Sequence, residues 1–396
     1  MIESGKRLFV FPAFQNVQKA CDVLNRISWG LFGLRNEDVT IFLPADSFKN
    51  GIIEPKHLNE SFLSTSQESY LSELPPLAKI SPNHFLESGD FGLFWDASIY
   101  QKKRNNFAKE STILIDPSFC FNYEADQIAA MQYSISSEEK RMELRNLSQT
   151  NYSKFIERWS NVENACLYLT GPSVEILSQK QIDHSAIKII CNSLVKNEKL
   201  LCKLQPDVLI FSDPAYHFGV SKYAAIFRSY VKKAMIEFPE MICIVPERYY
   251  PLTISFLGEI ARERIIGIPV IDSDQFNFPS TSRFFVKKTN NILTLMLIPI
   301  ASQITKRIFI FGADGRVKGD KGYWKHAQSS QMSDQMKTIY DSHPSLAKDE
   351  DVEKYYEEHC QLLEELLQYG ENTYETHYCC KTPSFIPALA KRESCI

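Results

Sequence analysis

The sequence predicts an α/β protein of two lobes followed by a helical C-terminal tail. Three observations lead there. Short apolar runs alternate with segments whose apolar residues recur at helical spacing, the pattern of parallel sheets covered by helices. That alternation occurs twice, on either side of one long polar helix signal at 136–159. From about Met332 the chain becomes acidic and aromatic and keeps a helical period. Its 396 residues suit two domains better than one.

The elements follow in order. RLFVFPAF (7–14) reads as a buried strand, QKACDVLNRISWGL (18–31) as a helix, and DVTIFLP (38–44) as a second strand. The stretch from Asn50 to Asn83 is rich in Ser, Pro and Glu and reads as loop with short helices. FGLFWDAS and STILIDPSF are further strands. SSEEKRMELRNLSQTNYSKFIERW (136–159) is a helix capped by Ser136 or Ser137, with acids in its first turn. A second unit then begins at NACLYLTGPSVEIL. AIKIICNS, DVLIFSDP, MICIVPE, IIGIPVID and RIFIFGADG are its other strands. The tail helix VEKYYEEHCQLLEELLQYG ends on Gly370, a helix stop. The division expected is an N-terminal lobe 1–135, a linking helix 136–160, a second lobe 161–330 and a helical segment 331–396.

Composition narrows the classes of function. A 44% hydrophobic and 23% charged chain is globular. The net charge of −4 argues against a nucleic-acid binder. Ten cysteines show no CxxC spacing, and Cys166, Cys191 and Cys243 lie in apolar runs. They read as reduced core residues in a cytoplasmic protein. The most apolar stretch, Ile292–Ile304, is too short to span a bilayer, so any membrane contact would be peripheral. No His, Cys or Asp cluster has metal spacing, and no metal or other cofactor is expected.

Three successive strands end in small or polar groups: Gly171-Pro172-Ser173, Asn192-Ser193 and Ser212-Asp213-Pro214. In a doubly wound sheet those ends line one crevice, where ligands bind. Gly171 permits close backbone approach, and free amides at Ser173 and Val174 suit an anion; an ordinary turn is the alternative. Asn192 both donates and accepts, as a base edge or sugar hydroxyl requires. Asp213 reads as a catalytic carboxylate or as an Asp-Pro turn, with His217 four residues on as acid, base or carboxylate holder. Glu247 and Arg248 follow a strand and suit phosphate or carboxylate, or a surface salt bridge. Thr289, Asn290 and Asn291 precede an apolar helix as N-caps beneath a phosphate, with Arg283 and Lys287 before them. Asp314 and Gly315 end the last strand, as nucleotide contacts or as a turn. Trp324 and His326 lie on a Gly-rich loop that reads as closing over the site or as a loop anchored by a buried Trp, and His343 and His359 on the tail read as packing residues.

This order resembles a known group. TGPSVE…IICNSLVKN is similar to the donor-site region of bacterial CMP-sialic acid sialyltransferases, with Leu169-Thr170 where that pattern carries a first glycine. TNNILTLMLIPIAS…RIFIFGADG resembles the later motif of 6-hydroxymethylpterin diphosphokinase-like proteins. The two-lobed layout resembles retaining β-Kdo glycosyltransferases, which use CMP-β-Kdo (Kdo is 3-deoxy-D-manno-oct-2-ulosonic acid). The resemblance implies two Rossmann-like lobes in a GT-B-like arrangement, with the acceptor on the N-terminal lobe. It implies a CMP-Kdo or CMP-sialic acid donor and a bacterial surface glycan acceptor, lipid-linked at the inner membrane in one version. Gly171, Pro172 and Ser173 would lie near ribose or phosphate, and Asn192 and Ser193 near nucleotide or sugar. Asp213 would form the covalent sugar adduct of a retaining enzyme. An inverting CMP-sialic acid transferase with His217 as base, an ATP- and magnesium-dependent diphosphokinase-like enzyme, and a non-catalytic binding module remain as alternatives.

Overall fold

The computed structural model describes residues 6–31, 39–53, 74–80, 86–87, 89–108, 111–116, 118, 123–179, 181–317, 325–347 and 351–393. Two all-parallel sheets form its frame. The first lobe runs β1 (Lys6–Phe11), α1 (Val17–Gly30), β2 (Val39–Leu43), β3 (Leu77–Lys79), β4 (Phe91–Phe94), α2 (Ala97–Lys103), β5 (Thr112–Leu114) and α3 (Tyr123–Ile135). Its sheet order is β3-β2-β1-β4-β5, a doubly wound arrangement. The strand β3 lies in the stretch read as loop. With three partly exposed residues at a sheet edge, it is too short to show an alternating pattern.

The helix α4 (Glu138–Trp159) follows, capped by Ser137 through the Lys140 amide. The second lobe runs β6 (Asn164–Tyr168), β7 (Ile187–Cys191), α5 (Glu198–Leu204), β8 (Val208–Ile210), α6 (Lys222–Glu237), β9 (Ile242–Pro246), α7 (Tyr250–Leu257), β10 (Ile265–Ile268), β11 (Val270–Ile271), β12 (Val286–Lys287), α8 (Ile298–Ile304), β13 (Arg307–Phe311), α9 (Met336–Ser342), α10 (Val352–Tyr374), β14 (His377–Cys380) and α11 (Pro387–Ala390). Its seven-stranded sheet has the order β10-β9-β8-β7-β6-β13-β14. The chain walks outward from β6 to β10, then returns to the other side of β6. The order therefore reverses between β6 and β13.

Three details differ from the sequence reading, each for a physical reason. The run IIGIPVID splits at Pro269, which has no N–H for a central ladder; β11 pairs with β12 in a separate ribbon. The apolar helix before β13 opens with a π-helical turn, Leu293–Leu297, ahead of Pro299, whose missing N–H breaks the regular ladder. The tail is helical in α10 and α11 but also supplies β14, which pairs with β13 and carries Cys379 and Cys380. None of the described cysteines is in a disulfide. No helix among the described residues is long and apolar enough to cross a membrane.

Alternation along the strands divides the core between two faces. Cys166, Tyr168 and Ile190 point to the face covered by α6 and the first lobe; Ala165, Leu167, Ile187 and Ile189 point to the face covered by α4, α8 and α10. The first lobe shares one continuous core with the former face. At that seam the buried Trp29, near the end of α1, donates its indole N–H to the Phe218 carbonyl at 2.7 Å. The Arg228 guanidinium lies 4.2 Å from the Trp29 ring centroid.

Trp29→Ala removes a fully buried ring, a hydrogen bond and a cation–π contact together, and should cost about 3–5 kcal/mol in urea unfolding. Trp29→Phe should cost about 1–3 kcal/mol, chiefly for the unpaired Phe218 carbonyl.

Candidate functional site

The reversal of strand order brings two turns together. Gly171 follows β6, and a Cβ there would stand 2.1 Å from Asp314 Oδ2 and 2.5 Å from the Gly312 carbonyl, so no larger residue fits. Pro172 opens a 3-10 turn, Pro172–Ser178. The Ser173 amide donates to Asp314 Oδ1 at 3.0 Å and its hydroxyl to Oδ2 at 2.7 Å. The Val174 amide donates to the Gly171 carbonyl. The amides expected to be free for an anion are therefore occupied. Asp314, 141 residues away in the chain, is the anion that the Ser173 amide meets. Both Asp314 oxygens are engaged by Ser173, one by its amide and one by its hydroxyl. Gly315 has φ +71 and packs beside Ile386 and the Tyr356 hydroxyl, which makes it a turn residue.

One strand along, Asn192 ends β7 in the left-handed region, with φ 49. Asparagine tolerates that conformation better than most residues. Its Oδ1 is buried and accepts no hydrogen bond from the described residues. Ser193 is buried beside it. Asn192 thus stands between the Gly171 turn and the end of β8, with an acceptor unspent.

The next strand end carries Asp213. Its Oδ1 accepts from the amides of Ala215, at 3.0 Å, and Tyr216, at 2.8 Å. Burial pushes its pKa up to about 6, against the pull of those two amides and of His343. Asp126 adds a smaller upward push from the first lobe. His217 does not hold this carboxylate. Its Nδ1 accepts the Asp213 backbone N–H at 2.9 Å. The ring is buried, stacked on Phe227 at 4.2 Å and edge-on to Phe211 at 5.6 Å. Burial, then Arg228, push its pKa down to about 3. His217 is consequently neutral, and its Nδ1 lone pair is not available to a substrate proton.

The Asp213 turn is held from outside as well. Arg228 Nη1 donates to the carbonyls of His217 and Gly219 at 3.0 and 2.9 Å. Phe218 stacks on Tyr249 at 4.0 Å. The Tyr249 hydroxyl and Arg248 Nη1 both donate to Asp126 on α3, Arg248 at 2.8 Å. His343, read as a packing residue of the tail, lies against Gly219: a Cβ there would be 2.5 Å from its Nε2.

Other expected contacts are placed differently. Glu247 forms a two-pronged ion pair with Arg145 of α4, at 2.7 and 2.9 Å. With Arg248 on Asp126, both charges bind the junction of the lobes to the end of β9 and are already paired. Asn291 does cap its helix, accepting from the Leu293 amide, and Thr289 accepts from the Thr294 hydroxyl. The Asn290 carbonyl, however, accepts from Tyr355 of α10, whose neighbour Tyr356 packs on Gly315. The first turn of α10 thus stands between residues 289–291 and the Asp314 turn. Lys287 donates to the Asp274 carbonyl, and Arg283 lies over Phe285. His359 is buried in α10, its pKa pushed down to about 4 by burial. Trp324 lies outside the described residues. His326 is brought to the crevice, its Nδ1 2.7 Å from Thr170 Oγ1.

Asp213 titrates above its unfolded value of 3.8, so its ionisation disfavours the fold. That penalty is absent below pH 4, grows between pH 4 and 6, and is complete above 6. Asp213→Asn keeps the Oδ1 acceptor. It should therefore raise unfolding stability at pH 7.5, with the gain vanishing at pH 4, as read by urea denaturation. Gly171→Ala should lower the melting temperature by several degrees, because the added Cβ collides with Asp314 and Gly312.

No protein-family model and no curated protein matches the chain. Among solved structures it is similar to the sialyltransferase CstII from Campylobacter jejuni in complex with a substrate analogue, CMP-3FNeuAc. The identity is 10%, the match covers 58% of this chain and 88% of that one, and the TM-score is 0.30.

Proposed function

We propose that the chain is a glycosyltransferase moving a 2-keto-3-deoxy acid sugar, Kdo, from CMP-β-Kdo to a bacterial surface glycan, with Asp213 acting at the anomeric carbon. The observation that carries this reading is Asp213 itself. It is a desolvated carboxylate at the carboxyl end of a parallel strand, with one oxygen pinned by two backbone amides. Its Oδ2 has no hydrogen-bond partner among the described residues. A nucleophile with one oxygen oriented and the other unengaged is prepared for attack. Asn192 and the Gly171–Ser173 turn lie on the adjacent strand ends, in the crevice where nucleotides bind doubly wound sheets.

In this reading the bond from the anomeric carbon to CMP breaks, and its electron pair passes to the phosphate. Asp213 Oδ2 forms the new bond, and the acceptor hydroxyl then displaces it, giving its proton to the CMP phosphate still in the crevice. Two inversions retain configuration. His217 is a positioning residue that holds Asp213 through its backbone amide. Asn192 offers Oδ1 to a ribose hydroxyl or the cytosine amino group.

A second reading is favoured by one observation. A carboxylate titrating near 6 also suits a general base. Asp213 would then deprotonate the acceptor in a single, inverting displacement, with CMP-sialic acid as donor.

Purified protein incubated with CMP-Kdo or CMP-sialic acid should release CMP, and Asp213→Asn should slow release by about 10²–10⁴-fold. A sugar adduct on the peptide carrying Asp213, seen by mass spectrometry, and a retained product anomer by NMR support double displacement. An inverted anomer without adduct supports the second reading. Release from neither donor, or an unaffected Asp213→Asn enzyme, refutes the assignment.

A further inference from the structure

The segment 326–331 lies across the carboxyl ends of β6 and β7. It is fastened at several points. The Ala327 amide donates to the Thr170 carbonyl at 2.6 Å. The Ser329 hydroxyl donates to Glu175 at 3.0 Å and accepts from Asn197 Nδ2 at 2.9 Å. Lys196 donates to the Gln331 carbonyl. These bonds come from the turns after β6 and β7, so the strap is tied to both.

The strap sets His326 at the carboxyl end of β6. Its Nδ1 meets the Thr170 hydroxyl, one residue before the Gly171 turn. After burial and Arg228, His326 adds a smaller push against a charge on His217. His326 thus stands at the end of β6, on a strap tied also to the turn after β7. The ring is partly buried, and burial lowers its pKa. In the tautomer in which the Thr170 hydroxyl donates to Nδ1, the proton of the neutral ring sits on Nε2. Nε2 has no hydrogen-bond partner among the described residues.

We propose that His326 is a phosphate-binding residue of this site, its Nε2–H donating to the phosphate of a bound nucleotide while Thr170 orients the ring. The assignment rests on the crevice being a nucleotide site, as proposed above. It fills a gap, because the Ser173 and Val174 amides expected to meet an anion are occupied. When the glycosidic bond to the phosphate breaks, the electron pair settles on a phosphate oxygen, and the Nε2–H hydrogen bond stabilises it with no proton transferred.

Two substitutions separate this role from a structural one. An asparagine amide overlays the Nδ1 side of imidazole, and a glutamine amide reaches its Nε2 side. His326→Asn should keep the Thr170 contact and the melting temperature, yet weaken CMP binding by about tenfold or more. His326→Gln should retain most CMP affinity. Cytidine, which has no phosphate, should bind all three proteins equally. Isothermal titration with CMP, AMP and cytidine reads these outcomes. If CMP binds wild type and His326→Asn equally, or His326→Asn loses cytidine and CMP alike, the phosphate role is overturned while the CMP reading stands. If AMP binds in place of CMP and its affinity falls in His326→Asn, the cytidine reading is overturned and the phosphate role stands. If no nucleotide binds wild type, both fail.

Discussion

The hold on the turn after β8 is the constraint on which the rest depends. Three successive carbonyls, of His217, Phe218 and Gly219, are each taken by a buried side chain: Arg228, Trp29 and Arg228 again. Buried carbonyls without partners cost free energy, and so does a buried guanidinium. Each satisfies the other here, and the Trp29 ring covers the cation. Trp29 comes from the first lobe and Arg228 from α6 of the second, so the hold on this turn is completed where the lobes meet. Tyr249, Arg248 and Asp126 repeat the device a few residues away.

This hold explains the division of roles between Asp213 and His217. Desolvation raises the carboxylate and lowers the imidazole, and the two shifts have one cause. The imidazole then serves best as a neutral acceptor for a backbone amide. The carboxylate keeps one oxygen unengaged. A charged His217 would need Nδ1 to carry a proton, which would break its bond to the Asp213 amide. The left-handed Asn192 next door costs about 1 kcal/mol and is held by the strand and turn around it. Strain of that kind, with an unspent acceptor, is concentrated at sites that bind something.

Much of this frame was legible in the residues. The alternation of apolar runs marked the strands of both sheets, and the Ser137 cap marked α4. The polar strand ends pointed to one crevice, and Gly171, Asn192 and Asp213 do lie on adjacent strand ends. The short β3 and β14 were not legible, because β3 offers only Leu77 and Ala78 beside Lys79 and β14 follows directly on the tail helix. The occupation of Ser173 by Asp314 was hidden by 141 residues of separation. The same holds for Arg145 on Glu247, 102 residues apart, and Asp126 on Arg248, 122 apart. His326 carried one signal, its place on a Gly-rich loop soon after the last polar strand end.

By itself the sequence determined most of the segments that become strands and the long helices, since these follow from local periodicity and caps. It also determined that polar groups gather at the strand ends, because a parallel sheet puts every carboxyl end on one side. Only the tertiary structure decided which of those groups remain available to a ligand. Availability depends on desolvation and on partners distant in the chain. Those terms exist only once Trp29 has closed on Phe218 and Asp314 on Ser173.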